Sequence, residues 1–385
     1  PLATLGGTSI LNHELAISLF GKTFGLIGSQ GFFLSGQSYD ISIFALFLFQ
    51  IVFMDAAATI PTGAMAERWK FLPFVIFGFF MSMLLYPIYG NWVWGGGWLS
   101  QLGKNFALGH GVVDFAGSAV VHMVGGWAAL AGAIVLGPRI GKFKKDGKPN
   151  VIPAHNIPMA AVGAFVLAFG WFGFNAGSTL SGIDLRIAVI AVNTMLASGM
   201  GALSAMVYTW KKNGKPDFAM IINGFLAGLV AITAPCAFVN SVSAVIIGTV
   251  AGVLVVVAAV FIENKLKVDD PVGAVAVHGV NGAWGIIALG LFADGTYGDG
   301  LNGITGGVRG LFYGDGSQLI AQGIGLLVNF VFIFLASYLF FKLLDRIMGM
   351  RVSEKSELAG LDISEMGLVG YPESLPEYSK QSSKE

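Results

Sequence analysis

The chain reads as a succession of apolar runs, each about as long as a bilayer is thick, separated by short polar stretches. A hydrocarbon core about 30 Å across takes roughly 20 residues of helix. Nine stretches have that length: Ile41 to Met65, Phe71 to Trp94, Phe115 to Gly137, Pro158 to Ser178, Ile187 to Trp210, Phe218 to Phe238, Val242 to Ile262, Val272 to Phe292 and Leu319 to Leu344. Apolar positions run on continuously instead of alternating, which predicts helices and not barrel strands. Before Ile41, the residues Leu19, Phe20, Phe24, Phe32 and Phe33 are broken up by Gly21, Lys22, Gly28 and Gly31 into pieces too short to span. Residues 1–40 are therefore expected to form a loop with short interfacial helical turns. Residues 41–346 form the membrane domain, and 347–385 a polar tail. The start of the tail keeps Leu358, Leu361 and Leu368 for docking, and the end, from Pro372, is expected to be disordered.

Composition agrees with this pattern. Of 385 residues, 55% are apolar and only 11% charged, which places the chain among multi-pass membrane proteins. The 55 glycines are about twice the usual share of roughly 7%, as expected where helices must approach closely in lipid. With an outside N-terminus, loops and tail place all but Lys22, Lys104, Arg186 and Arg309 of the 22 basic residues inside. The positive-inside rule then sets the C-terminus on the cytoplasmic side. The run Lys142 to Lys148 reads as a solvated, topology-setting loop and not a nucleic-acid patch. A lone Cys236 excludes an internal disulfide and reads as a small packed hydrophobe. Pro1 opens the chain with neither a starting Met nor a basic leader, which reads as a processed or truncated start.

Of five histidines, only His122 and His278 lie inside long apolar stretches, and each stands eight residues after an aspartate and shortly before a tryptophan: Asp114/His122/Trp127 and Asp270/His278/Trp284. Such intramembrane ionisable residues are site candidates by default. Two neutral imidazoles in a dry lumen can hydrogen-bond each other and form a small polar path. A metal site joining Asp114 to His122 is disfavoured, because eight helical residues separate them by roughly 12 Å along the axis. The sequence calls for no cofactor and no enzymatic chemistry.

Six strings resemble the ammonium transporter family (Amt/Mep, with Rh relatives): FQ with AERWKF at 49–71, VWGGGWL at 93–99, DFAGSAVVH at 114–122, GWFGFNAGS at 170–178, VDDP with VHG at 268–279, and RV with GLD at 351–362. They fall in the family's order over nearly the whole chain. The resemblance implies an all-α polytopic fold of inverted repeats, with nine of the family's eleven spans recognisable and its first two helices absent. The repeated Asp and His fit a site formed where two halves meet.

The resemblance also implies roles for individual residues. Phe49, Trp94 and Ser178 match an outer ammonium-recruiting site, where aromatic faces attract a cation by roughly 0.5 to 2 kcal/mol each. Asp114 matches a carboxylate that supports this site from behind, a role compatible with capping a helix. Phe53 and Phe174 match a pair of stacked rings gating the pore, and His122 with His278 the twin histidines below. Asn175 and Asp270 read as structural, a helix-end bond and a cap. Two departures stand out: Gly273 replaces an aspartate common in relatives, and Asp55 is an acidic residue within a span, assigned to helix packing or a subunit contact. The implied partners are ammonium or ammonia, membrane lipid, two further copies in a homotrimer, and a PII-type signalling protein docking around Gly360 to Tyr371. Met366 stands where a histidine is expected in that tail. A sensor that binds ammonium and signals, and a channel for uncharged solutes, are the alternative readings.

Overall fold

The structure, a computed structural model, describes residues 14–371; the disorder expected from Pro372 onward lies outside the described residues. Nine long or apolar helices make up the body: α1 (Ile41–Met65), α2 (Phe71–Val93), α3 (Ser118–Leu136), α4 (Ile157–Thr179), α5 (Arg186–Asn213), α6 (Phe218–Ile232), α7 (Ser241–Leu266), α8 (Val275–Phe292) and α9 (Gly316–Met348). All but α6 are long and apolar enough to cross a membrane, and the chain is a multi-pass membrane protein.

Helix starts follow local chemistry. Side chains of Asp40, Asn156, Asp217, Asn240 and Asp315 accept from the first backbone N–H groups of α1, α4, α6, α7 and α9, groups that have no partner within the helix. The sixth expected span, to Phe238, is cut short at Ile232. Pro235 disfavours helix at its predecessor and brings no N–H. The freed groups are not wasted: Phe115 and Ala116 donate their N–H to the carbonyls of Ala234 and Thr233, and Ala234 N donates to Ser118 Oγ. The end of α6 and the entrance of α3 thus complete each other.

Small residues fix the packing. A Cβ on Gly248 or Gly228 would lie 2.1 or 2.3 Å from the Ala197 carbonyl, and one on Gly252 2.0 Å from that of Gly201. Helices α6 and α7 therefore press directly on the backbone of α5, the close approach available in lipid only to small side chains.

The segment expected as a loop with helical turns is different over residues 14–28. Glu14–Leu19 (β1) pairs antiparallel with Lys22–Gly28 (β2), turning at Phe20 and Gly21, both in the left-handed region. Alternation of apolar and polar residues over Leu15 to Ile27 carries a period of two, and short 3₁₀ turns come only afterwards, at Phe32–Leu34 and Gly36–Ser38. The hairpin docks on the end of α2, where Trp92 Nε1 donates to the Leu26 carbonyl at 2.8 Å and Trp98 N to Gly25 at 3.0 Å.

At the opposite end of the bundle, the tail closes over the junctions α1/α2, α3/α4 and α7/α8. Arg68 is fully buried and donates to the carbonyls of Gly137, Ala66 and Asp269. Arg139 donates from its backbone, Nε and Nη2 to the Asp269 carboxylate at 2.9, 2.9 and 3.1 Å. Burial alone would raise the pKa of Asp269, but these bonds hold its carboxyl below the usual carboxylate range. Arg351 pairs with Glu357 and donates to Leu136 and Pro138, while Glu357 accepts from Ile140 N. Docking is thus polar: Leu358 and Leu368, expected to dock, are exposed. Asp55 is also exposed on α1 among the described residues.

Candidate functional site

Two stretches of the chain enter the bundle in the same way. The Asp114 carboxylate accepts from the backbone N–H of Gly117, Ser118, Ala119 and Val120, at 2.8 to 2.9 Å. Asp270 accepts from Ala274 and Val275, at 2.9 and 2.8 Å. In each, a glycine in the left-handed region follows the aspartate, Gly117 at φ 114° and Gly273 at φ 78°. A wide, π-type turn then opens the helix, over Ser118–Met123 and Val275–Val280. Widened turns displace side chains from the regular helical face, and here each carries a histidine. Gly273 is explained by this geometry: a β-carbon there would be strained at that φ and 2.8 Å from Asn223 Nδ2.

The helices α3 and α8 cross at Gly126 and Gly279. A Cβ on Gly126 would lie 2.2 Å from Gly279 N and 2.4 Å from Gly279 Cα. One turn from this crossing, the rings of His122 and His278 meet, with Nδ1 to Nδ1 at 3.2 Å, centroids 5.3 Å apart and planes inclined by 22°. A hydrogen bond between two Nδ1 atoms needs one protonated and one bare nitrogen. His122 Nε2 is buried and has no hydrogen-bond partner among the described residues.

Above His122 the rings continue as a column. Phe174 lies 5.3 Å from His122, Phe53 stacks on Phe174 at 4.2 Å and 22°, and Phe49 packs on Phe53 at 4.4 Å. Phe49 and Phe53 share one face of α1, four residues apart. Trp171, one turn before Phe174 on α4, flanks His122 at 5.2 Å and 15°, and its Nε1 donates to Thr233 Oγ1 at 3.0 Å. Asn175 donates to Thr194 Oγ1 at 2.9 Å, a bond between α4 and α5.

At the head of the column, Phe49, Phe53, Trp94, Ser178, Gln50 and Asn302 line a cavity of about 10 Å³, room for one water-sized species. Ser178 Oγ donates its proton to the Phe174 carbonyl at 2.7 Å and so presents only lone pairs. Trp94 Nε1 donates to the Asp114 carbonyl at 2.6 Å. The Asp114 carboxylate points away from the cavity, into the backbone of α3. Phe49, Phe53, Trp94, Asp114, His122, Phe174, Ser178 and His278 thus lie in one continuous arrangement. Trp171, Gln50 and Asn302 are additions. Trp171 could have been found from its place in GWFGFN, three residues from Phe174; Asn302 stands in a loop of no regular pattern.

Beyond Trp94 and Asn302 lies a second, polar cavity of about 210 Å³, reached by Ser100, Gln101, Lys104 and His110. Behind the segment Gly109 to Val113 that lines it stands a buried ladder of side chains: Gln318 pairs with His110 N and the Gly111 carbonyl, and Gln322 with Val113 N and its carbonyl. Two glutamines of α9 act there as a neighbouring strand would. No three His, Cys, Asp or Glu side chains among the described residues are grouped to hold a metal ion.

Residues 14–371 match the Ammonium Transporter Family. The chain is 50% identical to Ammonium transporter Amt2 of Archaeoglobus fulgidus over 351 residues, which cover 90% of this chain and 74% of that one. Among solved structures it superposes on a protein named Sensor Amt Protein with a TM-score of 0.80 and 39% identity, covering 89% of this chain and 82% of that one. For Mep2 of Candida albicans the TM-score is 0.69 and the identity 30%, over 89% and 71% of the two chains.

Proposed function

The chain belongs to the ammonium transporter family, and from that premise we propose that it recruits NH4+ at Phe49, Trp94 and Ser178, that the ion parts from its proton at the gate of Phe53 and Phe174, and that NH3 passes along His122 and His278 while the proton is taken up and relayed by the imidazole pair, so that net charge crosses. The observation that carries this reading is the paired Nδ1 atoms at 3.2 Å, at the foot of an unbroken column of rings. A cation at the head of the column meets aromatic faces and neutral oxygens, which replace water without holding the ion as a carboxylate in contact would. The column below it is apolar, so the charged form is excluded and the neutral form admitted. Asp114 acts at a distance: its charge favours a cation near Trp94, while its oxygens are engaged by the helix start. The like entry of α3 and α8 supports two repeats of inverted topology meeting at the histidines.

In this reading the protein lies in a prokaryotic plasma membrane with its tail in the cytoplasm, as a homotrimer with one pore per subunit. Asp55, exposed on α1, belongs to a subunit contact. The surface around Gly360 to Tyr371 is the dock for a PII-type protein. The test is ammonium-evoked current from the protein reconstituted on a solid-supported membrane. His122→Ala with His278→Ala should lose most of that current; unchanged conduction in the double variant would sink the pore assignment.

One observation favours a second reading. A solved structure with a TM-score of 0.80 is a Sensor Amt Protein, so a chain that binds ammonium and signals fits the same site. Retained ammonium binding without any current in the intact protein would select that reading.

A further inference from the structure

Asn302 stands in the loop between α8 and α9, in the left-handed region at φ 51°. It is remote in sequence from every residue of the recruitment cavity, yet it lines that cavity and, with Trp94, forms the partition to the polar cavity beyond. Its Nδ2 donates to the Phe115 carbonyl at 2.8 Å and to the Asp114 carbonyl at 3.3 Å. This fixes the amide, because the reversed orientation would set its oxygen against two carbonyl oxygens. Its Oδ1 accepts no hydrogen bond among the described residues, and the side chain stands half-buried at the wall between the two cavities.

We propose that Asn302 Oδ1 is a second obligatory acceptor for ammonium in the recruitment cavity, a specificity-determining contact; the proposal rests on the recruitment reading above. Ser178 spends its hydroxyl proton on Phe174, and Asn302 spends its amide protons on the Asp114 and Phe115 carbonyls. Both therefore meet a ligand as acceptors only. Two neutral, directional acceptors suit an ion with four N–H donors. Discrimination follows from their closeness: in a cavity of about 10 Å³ the methyl group of methylammonium has no room once two N–H groups are engaged. Trp94 Nε1 donates to the same Asp114 carbonyl that Asn302 holds, so the aromatic and amide walls are tied to one peptide group.

The experiment compares the intact protein with Asn302→Gly in proteoliposomes, reading currents evoked by ammonium and methylammonium, with an ammonium titration of tryptophan fluorescence as a measure independent of conduction. Glycine accepts the left-handed backbone without strain, and removing one acceptor to a charged donor should raise half-saturating ammonium about ten-fold and narrow the preference over methylammonium. A purely structural tether would change thermal stability and maximal current but leave the preference intact. Half-saturation within about two-fold of the parent in the glycine variant overturns the assignment. If the intact protein neither binds nor conducts ammonium, the recruitment reading itself fails.

Discussion

The crossing of α3 and α8 at Gly126 gives a sharp test of what holds the histidines together. In Gly126→Ala the new methyl would sit 2.2 Å from Gly279 N and 2.4 Å from Gly279 Cα. Both are backbone atoms, so no rotamer can relieve the clash. Carbon contacts settle at about 3.5 Å, so the two helices must part by about 1.3 Å. His278 adjoins Gly279 and His122 lies one turn before Gly126, so the parting is transmitted to the rings. Their 3.2 Å contact would open to about 4.5 Å if it took the full displacement, beyond hydrogen-bond range. Overpacking of this kind costs about 1 to 3 kcal/mol of stability, which a multi-pass protein can survive. The expected result is a protein that purifies with a lowered melting temperature and carries a small fraction of the parent's ammonium current. Gly163→Ala in α4 is the control, since a Cβ there meets nothing within 4 Å, and it should leave both unchanged. Parent-level current in Gly126→Ala would refute the claim that the glycine crossing sets the distance between the histidines.

Other expectations follow from the supports around the site. Asp114→Ala strips four backbone N–H groups of their acceptor and should cost about 3 kcal/mol or more, with Asn restoring part of it; detergent melting curves of the two variants check the order. Gln322→Leu leaves Val113 N and its carbonyl unpaired at a cost of about 2 to 4 kcal/mol, read in the same assay. The depressed pKa of Asp269 makes its contribution to stability full above the unfolded value of about 3.9 and lost as pH falls through the folded value. Asp269→Asn should therefore lower stability at neutral pH and flatten its decline below about pH 4 in acid melting series.

How much of this the sequence announced depends on the range of the interaction involved. Span positions were legible because each long apolar run is its own signal, and the aromatic and histidine residues because they are the unusual side chains within those runs. The end of α6 was missed because apolar character continues past Ile232, although Pro235 forbids the helix to follow it. The hairpin of residues 14–28 was missed because glycine and lysine at its turn were read as interruptions of helix, when they are the turn itself. Asn302 had no signal of its own: a loop asparagine becomes part of a site only when a left-handed backbone brings it against Asp114 and Phe115. The polar docking of the tail was hidden for a related reason, since Arg351 and Glu357 look like ordinary surface charges until the loops they hold are assembled.

The contact between His122 and His278 has a directional consequence. One Nδ1 bears the hydrogen and the other receives it, so the pair is asymmetric at any instant, with a bare Nε2 on one ring and a protonated Nε2 on the other. A proton handed along the pair enters at the bare Nε2 and leaves from the protonated one, and the shared hydrogen shifts across in between. The pair is then left facing the other way and cannot repeat the passage in that direction until both rings exchange their hydrogens again. An ammonia molecule slipping past leaves the pair as it was. On the proposed pathway the two imidazoles would thus resemble a ratchet that every charge must rewind and every neutral molecule ignores, and the time taken to rewind would set a ceiling on proton flow that ammonia flow does not share.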